Sequence, residues 1–424
     1  IVLYCYMNMR SIIGIIFFYC LVGTLQAQDM QRVKRVLDTL CSPEMAGRGY
    51  LEAGDKKAAS YIAQQFKEIG LQSFNEDYFQ FFQLSVNTFP KKIRLHLDRK
   101  KLTLGEDYIV NAVSSTAKGG GRIFYLDTLI FTDQTARETF LNTDVDNKVL
   151  VYHRKDYERL AELPVNVVKK VYEAKAVIEL QGKLTAAVST KAIETAIFEV
   201  DSSLFAERPT RARFRITNEF IEKYNSQNVI GYVEGTTYPS KFLVITAHYD
   251  HLGKMDNIYF PGANDNASGI SMLLELARHY KENRPAYSVV FMAFGAEEVG
   301  LIGSRYYTEH PLFPLDQIRF LINIDLVGTG DDGITVVNGS VFERGFKLLQ
   351  EINEQNQYIK RINKRGAAPN SDHYFVYRKK VPSFFIYTLG GIKAYHDVND
   401  KAATLPLTSY KELFALLTEF FDQI

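Results

Sequence analysis

The chain has 424 residues, 46% of them apolar and 23% charged, the balance of a soluble globular protein too long for one ordinary core, so two domains are expected. Fifty Lys and Arg against forty-nine Asp and Glu leave a formal charge of +1, and no dense basic run breaks the mixture, which argues against nucleic-acid binding.

The first expected element is a targeting segment. Met7 or Met9 and Arg10 are followed by the apolar run "SIIGIIFFYCLVG" and by "TLQAQ", which places cleavage near Ala27 and makes residues 1–27 a signal peptide, those before Met7 reading as an upstream extension. The run falls short of the ~20 residues that span a bilayer as a helix, and nothing later is apolar for long enough, so no stable membrane anchor is expected. The mature protein is read as exported, periplasmic or extracellular. Phe18 and Tyr19 precede Cys20 where a lipoprotein signal has small residues, so lipidation is not expected. Loss of Cys5 and Cys20 with the signal leaves Cys41 alone and without a disulfide partner.

The stretch "SPEMAGRGYLEAGDKKAASYIAQQFKEIGLQ" carries Ala59, Ile62, Phe66 and Ile69 at helical spacing and closes on Gly70, a C-terminal stop. From about Lys92 to Glu222 the texture changes to short β-rich runs such as "RIFYLD", "KVLVYH" and "KAVIEL", broken most clearly at "STAKGGG". His96 and His153 stand isolated there. From Asn228 onward, "KFLVITA", "SVVFMAF", "RFLINI" and "SFFIYTL" alternate with helical patterns, which predicts a mainly parallel central sheet flanked by helices. In "GISMLLELARHYKEN", Ile270, Leu273, Leu274 and Ala277 share one helix face and should pack on that sheet. The expected organisation is an α/β domain formed by residues 28–91 and 223–424, interrupted by a β-rich insert over residues 92–222.

Ligands of open α/β sheets bind beyond the carboxyl ends of the strands, so each strand end is a place to look for chemistry. The first apolar run ends in His248-Tyr249-Asp250, the next in Gly295-Ala296-Glu297-Glu298, the third in Asp325, and the last is followed by Tyr395-His396; Asp265 precedes a helix. Each has a bland alternative as a cap, a turn former or a solvated charge. Their shared placement makes coincidence a poor explanation.

Imidazoles mixed with carboxylates favour zinc over magnesium or calcium. Three ligand carboxylates and one hydroxide balance two divalent ions, which favours a two-metal site with one bridging carboxylate. Asp250 is expected to accept the other N–H of the His248 ring and fix its tautomer. Of Glu297 and Glu298, one can ligate while the other faces a water as general base.

These residues resemble a known family. "AHYDHLG", "GANDNASG", "GAEEVGLIGS", "NIDLVG" and "YHDVNDKAATL" look like the metal-site motifs of the M28 zinc peptidases in their usual order, and "SPEMAGRG" extends the likeness toward the N-terminus. The resemblance implies a zinc aminopeptidase (phosphorylase/hydrolase-like) fold and two Zn2+ ions, His248 and Asp325 serving one, Glu298 and His396 the other, with Asp265 between them. It implies Glu297 as general base, Tyr395 as an oxyanion stabiliser and Asp400 as a support for the final histidine. The family's usual Asp-Asp is here Asn264-Asp265. His251, and Asp372 and His373 in "SDHYF", resemble positions near the substrate and are not expected to be ligands. The insert resembles a protease-associated domain through "DVDNKVLVY" and "VYEAKAVIEL".

The resulting expectation is an exported dizinc aminopeptidase that hydrolyses the N-terminal bond of peptides through a metal-bridging water. The alternatives are a glutaminyl cyclase with one zinc, a carboxypeptidase on acidic peptides, and a non-catalytic binding protein of the same fold.

Overall fold

A computed structural model describes residues 28–424; the expected signal peptide lies outside the described residues. Helices α1 (Met30–Leu40) and α2 (Gly54–Ile69) open the fold. Asp29 caps α1 by accepting from the N–H groups of Gln31 and Arg32, and α2 ends where Gly70 takes φ +80. Ala59, Ile62, Phe66 and Ile69 are all buried, as their spacing predicts. Strand β1 (Phe79–Thr88) follows.

A separate eight-stranded sheet then forms from β2 (Arg94–Leu97), β3 (Lys100–Lys101), β4 (Tyr108–Val110), β5 (Ala117–Tyr125), β6 (Lys148–His153), β7 (Ala176–Gln181), β8 (Ile197–Asp201) and β9 (Arg211–Ile216). Its strands alternate cleanly: Val149 and Val151 of β6 enter one apolar cluster, Leu150 and Tyr152 the opposite one. The second cluster is covered by Phe140, Leu160, Val167 and Val171 from three short helices, Gln134–Leu141, Tyr157–Ala161 and Val165–Tyr172. A β-rich insert is therefore only half of the description, because β5, β6, β7 and β8 pair in parallel and parallel neighbours need crossovers.

The main sheet is completed by β10 (Glu219–Val233), β11 (Tyr238–His248), a two-stranded ribbon of β12 (Lys254–Met255) and β13 (Ile258–Tyr259) that stands apart, then β14 (Tyr287–Phe294), β15 (Ile318–Ile324), β16 (Gly333–Val337), β17 (Ile362–Lys364) and β18 (Ser383–Leu389). Its order is β1-β10-β14-β11-β15-β18-β16-β17, with β14, β11, β15 and β18 parallel at the centre. The period of two sorts the core. Leu243, Ile245 and Ala247 face α1, α2 and the helix Ser268–Glu282, while Phe242 and Val244 face Tyr307 and Val376 from helices on the other side. Ile270, Leu273, Leu274 and Ala277 are buried on the first face.

This order matters for chemistry because β14, β11 and β15 are neighbours. Phe294 pairs with His248, and Thr246 with Asn323, so three adjacent parallel strands end at one level and deliver Glu297-Glu298, His248 and Asp325 to one rim.

Candidate metal centre

Asp265 lies between two histidines. His248 Nε2 is 3.2 Å from Asp265 Oδ1 and 3.4 Å from Asp325 Oδ1, and His396 Nε2 is 3.0 Å from Asp265 Oδ2 and 3.2 Å from Glu298 Oε2. Two donors each about 2.1 Å from one tetrahedral ion stand about 3.4 Å apart, so these spacings are those of donors sharing a metal. His248 Nε2 and Asp325 Oδ1 are buried without a hydrogen-bond partner, the condition of atoms that lack an ion rather than a proton. The donor set fits zinc. Ligand atoms of His248, Glu297 and Asp325 fall within 4.8 Å of one another, as do those of His251, Asp265 and Glu298.

The cluster floors an open cleft of about 430 Å³ whose walls include Leu301, Leu326, Pro369, Phe385 and Tyr387. A larger groove of about 710 Å³ runs beside Arg319 and Ile424 and touches none of these residues.

Residues 228–421 match the sequence family described as Peptidase family M28. Over these residues the chain is similar to the M28 peptidases. Within it, 106 residues are 42% identical to aminopeptidase YwaD of Bacillus subtilis (strain 168), and 113 residues are 34% identical to a probable zinc metalloprotease of Pyricularia oryzae. These matches cover 24% and 25% of this chain and 22% of each relative's length. The fold extends further than the sequence likeness. The structure of a zinc aminopeptidase from Bacillus subtilis superposes with a TM-score of 0.68 at 20% identity, covering 93% of this chain and 94% of that one. A peptidase M28 precursor from Shewanella amazonensis SB2B gives 0.68 at 14% identity, covering 93% and 92%.

Within the matched segment, His248 is oriented differently from expectation. Its Nδ1 donates to the main-chain oxygen of Asp250 at 3.1 Å, whereas the Asp250 carboxylate accepts from the N–H groups of Glu297 and Glu298 at 3.0 and 3.3 Å. The strand ends at His248, and the main-chain oxygen of Asp250, not its carboxylate, is the atom that meets the ring. Asp250 thus fixes the glutamate loop. Asp400 also differs: its carboxylate accepts from the N–H of Asn264 at 2.8 Å and of Asp265 at 3.0 Å, holding the Asp265 loop and not His396. Asn264 turns its side-chain oxygen to the N–H of Gly328 at 2.8 Å, a role an amide fills as well as an acid.

Two residues acquire contacts that their spacing in sequence did not reveal. His251 Nδ1 lies 2.6 Å from Glu298 Oε1, beside the donors rather than out toward the substrate. Arg48 of "AGRG" is fully buried, with all its partners main-chain oxygens. An arginine followed by glycine was the available signal, but nothing local says which loops it spans. Tyr395 is 42% exposed and stacks on the His396 ring, centroids 4.0 Å apart. Asp372 and His373 are buried, each with unpartnered side-chain atoms.

The paired glutamates are driven apart electrostatically. Burial holds the Glu297 carboxyl well above the usual range, Asp372, Glu298 and Asp325 adding to it against His248. For Glu298, burial and Asp265 push upward, yet His396 and His251 win and take it down to about 2. The two neighbours thus sit in opposite electrostatic surroundings, Glu298 facing the imidazoles and Glu297 facing other carboxylates.

Proposed function

We propose that this protein is a dizinc aminopeptidase that removes the N-terminal residue of peptides. The observation that carries the reading is Asp265 lying within 3.2 Å of both His248 and His396, each of which faces a second carboxylate. His248 and Asp325 would hold one ion, Glu298 and His396 the other, and Asp265 both. Zinc, when bound, supplies Lewis acidity and lowers the pKa of water.

The remaining chemistry belongs to side chains. Glu297, as the carboxylate, takes the proton of the attacking water and returns it to the departing amide nitrogen; its burial raises its affinity for that proton while it is held. Asp250 keeps the Glu297 and Glu298 main chain in place during that exchange. Tyr395, at the exposed edge of the cleft, donates a hydrogen bond from its hydroxyl to the oxyanion that develops on the scissile carbonyl. The free amine of a peptide is the cationic group a carboxylate-rich cleft attracts, and the wall of Leu301, Leu326, Phe385 and Tyr387 suits an apolar N-terminal side chain. The second sheet, which runs from Arg94 to Ile216, is the inserted unit expected over residues 92–222, whose last four residues join β10 of the main sheet instead, and the protein is exported by its N-terminal segment. Among the described residues no helix is long and apolar enough to cross a membrane.

Mass-spectrometric product analysis on a peptide library, free and N-acetylated, tests the reading. Stepwise loss of N-terminal residues from the free peptides alone is the expected result. Ammonia loss from N-terminal Gln without hydrolysis would replace the peptidase by a cyclase, and unchanged peptides would remove the enzymatic reading.

A further inference from the structure

The two candidate metal histidines are held by different parts of the chain. His248 is held by its own loop, through the Asp250 carbonyl. His396 is held by the insert. Its Nδ1 donates to the main-chain oxygen of Ala186 at 3.0 Å, and the Ala186 N–H donates back to the main-chain oxygen of His396 at 2.9 Å. One insert residue therefore fixes both the ring and the peptide plane. Because the bond occupies Nδ1 with a proton, Nε2 keeps its lone pair for an ion that Asp265 and Glu298 would hold with it.

That grip is needed locally. His396 sits at φ +53, a left-handed conformation that a residue other than glycine keeps only when its surroundings over-determine it. Lys183, two residues beyond the end of β7, adds a second tie: its Nζ donates to the Lys393 carbonyl at 2.8 Å, lies 3.6 Å from Asp397 Oδ2, and stands 5.9 Å from the centre of the Tyr395 ring. The loop is itself anchored, since the Ser189 carbonyl accepts from the N–H of Asn87 at 2.9 Å and Leu184 packs on the insert core. Val398, two residues past His396, packs on that same core.

We propose that Ala186, with Lys183 beside it, is the positioning element for His396, so that the insert completes the Glu298/His396 half of the centre and leaves the His248/Asp325 half untouched. The proposal rests on the reading of His396 as a metal ligand. It gives the insert a role in metal binding rather than only in covering or docking.

The test is a Co2+ titration of the full chain after chelation, followed by visible absorption, which counts sites and reports their geometry. Replacing Ala187 by lactic acid turns the Ala186 carbonyl into a weaker ester acceptor without changing a side chain, and Ala187 is exposed, so the fold tolerates it. Lys183→Met removes the second tie from a side chain that is 48% exposed. Both variants should bind one equivalent as the parent does and the other more weakly, by about tenfold or more for the ester, the range found when partners of metal ligands are lost. Unchanged binding of both equivalents, or equal weakening of both, overturns the proposal. His396→Ala separates the two levels. If it loses one equivalent while the insert variants behave as the parent, only the positioning role fails; if it keeps both, the assignment of His396 as a ligand fails and the proposal with it.

Discussion

The Arg48 side chain reaches the main-chain oxygen of Asp265, Nη2 to O at 3.2 Å, joining the segment between α1 and α2 to the centre of the candidate metal site. The same guanidinium donates to Tyr249 O at 2.8 Å, Leu40 O at 3.0 Å, Pro261 O at 2.5 Å and Gly262 O at 2.7 Å. Five acceptors on three segments match the five N–H donors that only arginine carries. Lysine offers three. Arg48→Lys should leave at least two buried carbonyls unpaired and cost about 2–6 kcal/mol of stability, at ~1–3 kcal/mol for each unmet group. Denaturant unfolding of the metal-free proteins measures it, and a difference under ~0.5 kcal/mol would contradict the clamp.

Glu297→Gln keeps the volume of the side chain and loses its proton chemistry. Turnover should fall by about 10²–10⁴-fold, the usual contribution of a positioned acid–base group. Zinc content should match the parent, because neither histidine–carboxylate pair involves Glu297. Atomic-absorption analysis beside a peptide assay checks both halves.

Asp265→Asn should differ in kind. Its two oxygens each face a different histidine, so loss of one anionic oxygen weakens both halves of the centre, whereas Asp325→Asn should weaken one. Chelation of the parent should lower its melting temperature as the buried carboxylates lose their counter-charge, and added zinc should restore it. Calorimetry with and without chelator reads this directly.

Glu199 gives the insert its own pH dependence. It lies directly opposite Glu179 across β7 and β8, and burial, with Glu179 adding to it, pushes it up to about 7 from 4.5. The folded state then holds a proton that the unfolded chain has released, so stability falls as pH rises from about 4.5 to about 7. Glu199→Gln should match the parent at pH 5 and exceed it at pH 8 by on the order of 3 kcal/mol. Urea unfolding at the two pH values compares them.

The sheet and its rim were legible because both rest on local patterns: continuous apolar runs mark strands buried on both faces, and polar residues at their ends mark the functional edge. His248, Glu297, Glu298 and Asp325 follow from that rule. Their supports do not. Which loop Asp400 or Arg48 reaches depends on contacts across more than a hundred residues, and no spacing announces that the Asp250 carbonyl, rather than its carboxylate, meets the His248 ring. Ala186 was invisible for a further reason: it acts through its main chain, which every residue has.

The two-metal arrangement around Asp265 is the central claim, and a crystal soaked in zinc and measured across the zinc absorption edge tests it most directly. The anomalous map should hold two peaks, one touching His248 and Asp325, the other Glu298 and His396, both within coordination distance of Asp265. A single peak at saturating zinc, or two peaks that leave Asp265 uncoordinated, would contradict it.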